Sequence, residues 1–83
     1  MNIRLKLFAS LSEFLPPNAK DNIAEVELPE GITVAGVIDH FRLPIEQCHL
    51  VLLNGVFVVP ERRASQEMVE GDTLALWPPV AGG

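Results

Sequence analysis

The residues with the most distinctive chemical potential stand at the C-terminal end of the sequence, Pro78-Pro79-Val80-Ala81-Gly82-Gly83. They contain no nucleophile, no base and no metal ligand. What they offer is one accessible carboxylate, on Gly83, at the end of a thin arm. Pro78 and Pro79 lack amide donors and cannot extend a central strand ladder. They favour extended polyproline geometry, which lifts the chain off a sheet. Stretched out, residues 78–83 span roughly 20 Å. Gly82 and Gly83 lack a β-carbon, so they pass a narrow channel and reach backbone conformations closed to other residues. Val80 and Ala81 add a modest apolar grip. The plain alternative is a frayed chain end.

Other reactive side chains give less. Cys48 stands alone, so it forms no internal disulfide and no multi-cysteine metal site. It reads as a small buried residue rather than a nucleophile. His40 and His49 lack paired ligand spacing, which predicts no bound metal. His40, beside Phe41, is expected to face solvent. Arg62 and Arg63 read as a solvated loop, with contact to an acidic partner as the alternative. Glu25, Glu27 and Glu30 read as a solvated edge or as a surface for a basic partner. No nucleophile–base pair is visible, so the chain is not expected to be an enzyme.

The bulk numbers set the frame. The 83 residues fit one small domain, 48% apolar and 20% charged, which is not a disordered composition. No apolar run approaches the ~20 residues of a membrane span. The N-terminal residues alternate at once rather than forming a signal peptide, and a cytoplasmic address follows. With 11 acidic and 6 basic residues the net charge is −5. That argues against nucleic acid as a partner, which needs cations to displace phosphate counterions. It suits a basic protein partner or serves solubility alone.

The elements that must carry the arm follow from periodicity. Ile3, Leu5 and Leu7 alternate with Arg4, Lys6 and Phe8, a half-buried strand. Ser10-Leu11-Ser12-Glu13 fits a capping box opening a short helix through Phe14 and Leu15, ended by Pro16-Pro17. Ala24, Val26 and Leu28 alternate with Glu25 and Glu27 as a second strand. Thr33 is a helix N-cap, and Val34, Val37, Ile38 and Phe41 form one apolar stripe. Gly36 inside that helix either allows close packing on a sheet or is tolerated slack. Asn54-Gly55, between His49–Leu53 and Val56–Val59, is a hairpin signal. Pro60 to Ser65 reads as a charged connection, Gly71-Asp72 as a turn, and Thr73–Trp77 as the last strand. The order predicts an α+β fold, a mixed sheet with one main helix on one face. If the first and last strands pair as central neighbours, it is a β-grasp, or ubiquitin-like, domain over residues 1–83, with 78–83 an extended flexible tail.

Three motifs and this order resemble the MoaD/ThiS family of ubiquitin-like sulfur carriers: Leu53-Asn54-Gly55, Gly71-Asp72-Thr73-Leu74, and Trp77-Pro78-Pro79-Val80-Ala81-Gly82-Gly83. Lys6-Leu7-Phe8-Ala9 with Glu13 also looks like the family's first strand and helix. The resemblance implies that a MoeB/ThiF-like adenylating enzyme, using ATP and magnesium, activates the Gly83 carboxylate. The carrier itself binds no cofactor. A sulfur donor protein then converts the acyl-adenylate to a thiocarboxylate. The implied acceptor is the molybdopterin precursor on a large, MoaE-like synthase subunit, or the forming thiazole of thiamine on a thiazole synthase. A ubiquitin-like modifier, conjugated through Gly83, would use the same tail. The chain departs from the MoaD pattern at Ser12, where many relatives carry a basic residue, at Trp77 in place of Phe, and in a longer Pro16–Asn22 loop.

Alternation also suggests a docking surface. If the first and last strands pair, Phe8 and Trp77 share the sheet face away from the helix, and exposed aromatics favour interfaces. The alternative is that the Pro60–Met68 segment covers them.

Overall fold

Alternating burial along the strands generates the sheet. The computed structural model describes residues 1–80. In β1 (Asn2–Leu7), Ile3, Leu5 and Leu7 are fully buried while Asn2 and Arg4 are exposed. β2 (Ile23–Glu27) buries Ala24 and Val26, and β5 (Thr73–Trp77) buries Leu74 and Leu76 completely. β3 (Leu50–Leu53) and β4 (Val56–Phe57) complete a sheet of order β2-β1-β5-β3-β4. β1 and β5 run parallel at its centre, and every other pairing is antiparallel. This is the expected β-grasp arrangement, with the last strand gripped on both sides.

The one α-helix among the described residues, α1 (Val34–His40), packs Val34, Val37 and Ile38 onto the buried sheet face. Thr33 caps it as expected: its hydroxyl accepts the Gly36 amide at 3.0 Å. Such a cap contributes about 1 kcal/mol. The glycine at 36 is explained by neither sequence expectation. A β-carbon there would lie 2.7 Å from Cγ1 of Ile32, so the close neighbour is the residue entering the helix, not the sheet. Beyond the helix Arg42 turns the chain with a φ of 57°, and Leu43 donates its amide to the Ile38 carbonyl.

Two local expectations are corrected. The capping box at Ser10 does not form. Residues Ala9–Phe14 are a 3-10 helix with Phe8 at the N-cap and no side-chain cap. Ala9 adopts a φ of 52°, so the turn starts before Ser10, and the Ser12 hydroxyl donates instead to the Ala9 carbonyl at 2.8 Å. β4 is also shorter than the apolar run Val56–Val59, because Pro60 opens a 3-10 turn over Pro60–Arg62 that draws the chain away from β3.

The two weak turn motifs prove to be one clasp. Asn54 and Gly55 take the positive φ angles (51° and 84°) of a tight hairpin turn. The Asn54 side-chain amide donates to Oδ1 of Asp72 at 2.8 Å, and its oxygen accepts the Thr73 amide at 2.9 Å. The other Asp72 oxygen accepts the Val69 amide at 2.8 Å. The β3–β4 turn is thereby tied to the start of β5, which fixes the register of the strand carrying the tail.

Candidate functional site

The tail leaves the middle of the sheet, not its edge. β5 lies between β1 and β3, and its last bonds among the described residues are the Phe8 amide to the Leu76 carbonyl (3.2 Å) and the His49 amide to the Trp77 carbonyl (3.1 Å). Pro78 follows at once and brings no amide to continue the ladder. Pro78 is half-buried, and Pro79 and Val80 are exposed. Ala81, Gly82 and Gly83, the sequence candidates for presenting and forming the reactive terminus, lie outside the described residues.

Phe8 and Trp77 meet beside this exit. Their rings stack with centroids 4.4 Å apart and planes inclined by 7°, both side chains half-buried. Such a pair adds about 0.5–1.5 kcal/mol beyond its buried area. Ladder partners share a face, so the stack continues across the sheet. Leu50 pairs with Trp77, Leu52 with Ala75, and Phe57 with Leu52. Leu50 is 38% exposed and Phe57 48%. The result is an apolar field on the open face, rooted at the tail and running to β4. Sequence reasoning missed Leu50, Leu52 and Phe57. The alternation of the Asn54-Gly55 hairpin carried that signal, but only once β3 is known to pair with β5.

Arg4 and Lys6 lie opposite Thr73 and Ala75, and make the field's charged border on the β1 side. Arg4 Nε donates to Glu25 Oε2 at 3.3 Å, with both side chains more than half exposed. A solvated pair of this kind contributes little to stability. It keeps this part of the face polar.

The Pro60–Met68 segment does not cover the aromatics. It runs on the helix side, where Gln66 and Arg63 carbonyls accept the Val34 and Ala35 amides, and Met68 donates to Ile32. Within it Arg63 overturns the reading as solvated loop. It is buried, 8% exposed, and its guanidinium donates to three backbone carbonyls: Val58 (3.0 Å), Cys48 (2.8 Å) and His49 (3.3 Å). The planar fork of arginine suits this task, because several donors reach separate carbonyls at once. Arg62, by contrast, is exposed as expected.

The remaining candidates stay outside the site. Cys48 is buried, with its thiol donating to the Pro44 carbonyl at 3.4 Å. Burial pushes that thiol up from its ordinary pKa, against the opposing pull of the Arg63 charge. A thiol held protonated is a poor nucleophile. His40 is exposed and edge-on to Phe41, and His49 is exposed. Glu25, Glu27 and Glu30 are exposed as well. Among the described residues, no three His, Cys, Asp or Glu side chains gather as metal ligands would, and no helix is long and apolar enough to cross a membrane.

The sequence pattern of the ThiS family matches residues 5–83. No curated protein matches the chain. Among solved structures, SAMP1 from Haloferax volcanii is 28% identical, with 100% of both chains covered and a TM-score of 0.68. The thiamine biosynthesis protein ThiS from Geobacter metallireducens is 16% identical, covering 96% of this chain and 99% of that one, with a TM-score of 0.62. A chain in the complex of subunits 1 and 2 of molybdopterin-converting factor from Helicobacter pylori is 15% identical over 100% of both chains, with a TM-score of 0.58. The last two share the fold. The family match spans nearly the whole sequence, including both turn motifs of the clasp and the tail. The chain belongs to the ThiS family of ubiquitin-like sulfur carriers or modifiers.

Proposed function

We propose that this chain carries sulfur as a thiocarboxylate on Gly83. The observation that carries the reading is the position of β5: a central strand, locked on both sides, that ends in a proline pair directly before the tail. The domain is then a rigid handle and the tail its working arm. A Gly83 carboxylate oxygen attacks the α-phosphorus of ATP on a MoeB/ThiF-like enzyme, and pyrophosphate leaves. Hydrosulfide supplied by a donor protein attacks the acyl carbon, the C–O bond to the phosphate breaks, and AMP leaves. No side chain of the carrier takes part, which fits the buried, protonated Cys48. ATP and magnesium belong to the partner.

The leading acceptor is the molybdopterin precursor, held by a large, MoaE-like subunit. The Helicobacter pylori relative, seen as a complex of subunits 1 and 2, supports that kind of partner. Thiazole formation for thiamine is the alternative acceptor. A second reading, conjugation of Gly83 to a lysine of a target protein, is favoured by the 28% identity to SAMP1, a small archaeal modifier protein. Intact mass analysis of the protein isolated from its host separates the two. Carrier function gives a free chain with one oxygen exchanged for sulfur. Modifier function gives heavier, branched products and no exchange.

The open apolar face, with Phe8 and Trp77 beside the tail, is the proposed docking surface for the adenylating enzyme. Aromatic anchors in a desolvated patch dominate interface energies. Trp77→Ala is expected to weaken binding by more than about tenfold. The core faces the other side, so the fold should survive. Calorimetric titration checks this, and an unchanged affinity sinks the docking assignment.

A further inference from the structure

The two edges of the sheet differ. The β2 edge carries Glu25 and Glu27, and the Asn18 side chain donates to the Glu25 carbonyl at 3.1 Å. The β4 edge is limited by its shortness and by Pro60, but among the described residues it carries no charged side chain of its own. The Val58 amide donates inward to the Val51 carbonyl at 2.9 Å. In an antiparallel ladder, residues bonded to the neighbour alternate with residues turned away. Phe57 therefore points its N–H and C=O outward, and Val59 its N–H. The Val59 carbonyl is taken by the Arg62 amide at 2.9 Å.

Natural sheets usually protect such an edge with lysine, proline or charge. Here residues 56–59 read Val-Phe-Val-Val, and Val56, Phe57 and Val59 are 69%, 48% and 40% exposed. Beside them lies a groove of about 500 Å³, lined by Leu53, Val56, Val59, Gln66 and Arg62 among others. Among the described residues Arg62 is its only charged lining residue.

We infer that the outer edge of β4 receives an extended segment of the adenylating partner as an added strand, apolar toward the groove and bringing a carboxylate to Arg62. The inference rests on the carrier reading. Free backbone groups select an extended chain, because only a strand pairs with them in register. Phe57 belongs both to this edge and to the apolar field that reaches Trp77, so one partner covers the two together. β4 lies two strands from β5, about 10 Å at the usual strand spacing, so the same partner is within reach of the tail. A second copy fits less well. Two chains of net charge −5 repel one another.

Val59 provides a clean test. Its φ of −62° and ψ of 149° are those of proline. Val59→Pro deletes the outward N–H without strain and leaves the pairing with β3 intact. In the complex with the purified adenylating enzyme, amide hydrogen exchange at Phe57 and Val59 should slow by at least about tenfold as both N–H groups are bonded. Val59→Pro should weaken binding about fivefold, the worth of one hydrogen bond, and Arg62→Glu should weaken it as well. A complex that adenylates the tail while both amides exchange as in the free protein overturns the edge inference and leaves the carrier reading standing. Unaltered binding by Val59→Pro overturns it too. Protection that appears in the free protein and grows with its concentration would assign the edge to a second copy, against the inference. If the enzyme neither binds nor adenylates the chain, the carrier reading fails and the edge inference with it.

Discussion

Deleting Gly83 is expected to abolish thiocarboxylate formation and leave the fold unchanged. Among the described residues the last ladder bonds are made at Leu76 and Trp77, before the proline pair. The shortened tail would still end in a carboxylate, on Gly82. That carboxylate would sit about 3.5 Å short of the position the full tail reaches. A misplacement of 1 Å at a reacting centre can lower a rate about a hundredfold, so a full residue should lower adenylation by at least that factor. Pyrophosphate exchange with the adenylating enzyme measures the loss, and thermal unfolding of the same protein should match the parent. Exchange at the parent rate would show that the enzyme does not require the carboxylate at the position of Gly83.

The second large effect is on stability. Arg63→Ala is expected to destabilise the domain by about 3 kcal/mol, because carbonyls of Val58, Cys48 and His49 lose their donor in a buried place. Arg63→Lys should recover little of this, since one ammonium cannot serve three separated carbonyls with the same geometry. In a domain of this size such a loss lowers the melting temperature by roughly 15 °C. Denaturant titration gives the free energy directly. A change below about 1 kcal/mol would mean that water replaces the guanidinium at all three carbonyls. Because Cys48 and His49 lead into β3, and the His49 amide holds the Trp77 carbonyl, a weakened Arg63 anchor should also loosen the root of the tail.

Much of this architecture could be read from the sequence. Strands β1, β2 and β5 are set by plain alternation, α1 by its apolar stripe and Thr33, and the hairpin by Asn54-Gly55. Placing Phe8 and Trp77 on one sheet face needed one added assumption, contact between the first and last strands. The misreadings have a common physical origin. The capping box at Ser10 lost to a backbone choice at Ala9, whose positive φ accompanies an N-cap two residues earlier, at Phe8. Arg63 looked like a solvated charge because its partners are backbone carbonyls of residues 48, 49 and 58, and carbonyls leave no mark in a sequence. The Asn54–Asp72 clasp joins two motifs that were each legible only as turns. Leu50, Leu52 and Phe57 became part of the site through strand register, which local patterning does not determine.

The central claim is that the rigid β-grasp handle presents Gly83 for activation. The most direct measurement incubates the pure protein with its MoeB/ThiF-like enzyme, ATP, magnesium and a sulfide source, and follows the intact mass of the chain. The account predicts first an adenylate and then replacement of one oxygen by sulfur, with fragmentation placing the change on Gly83. A mass that stays at the unmodified value while the enzyme turns over another carrier would contradict it.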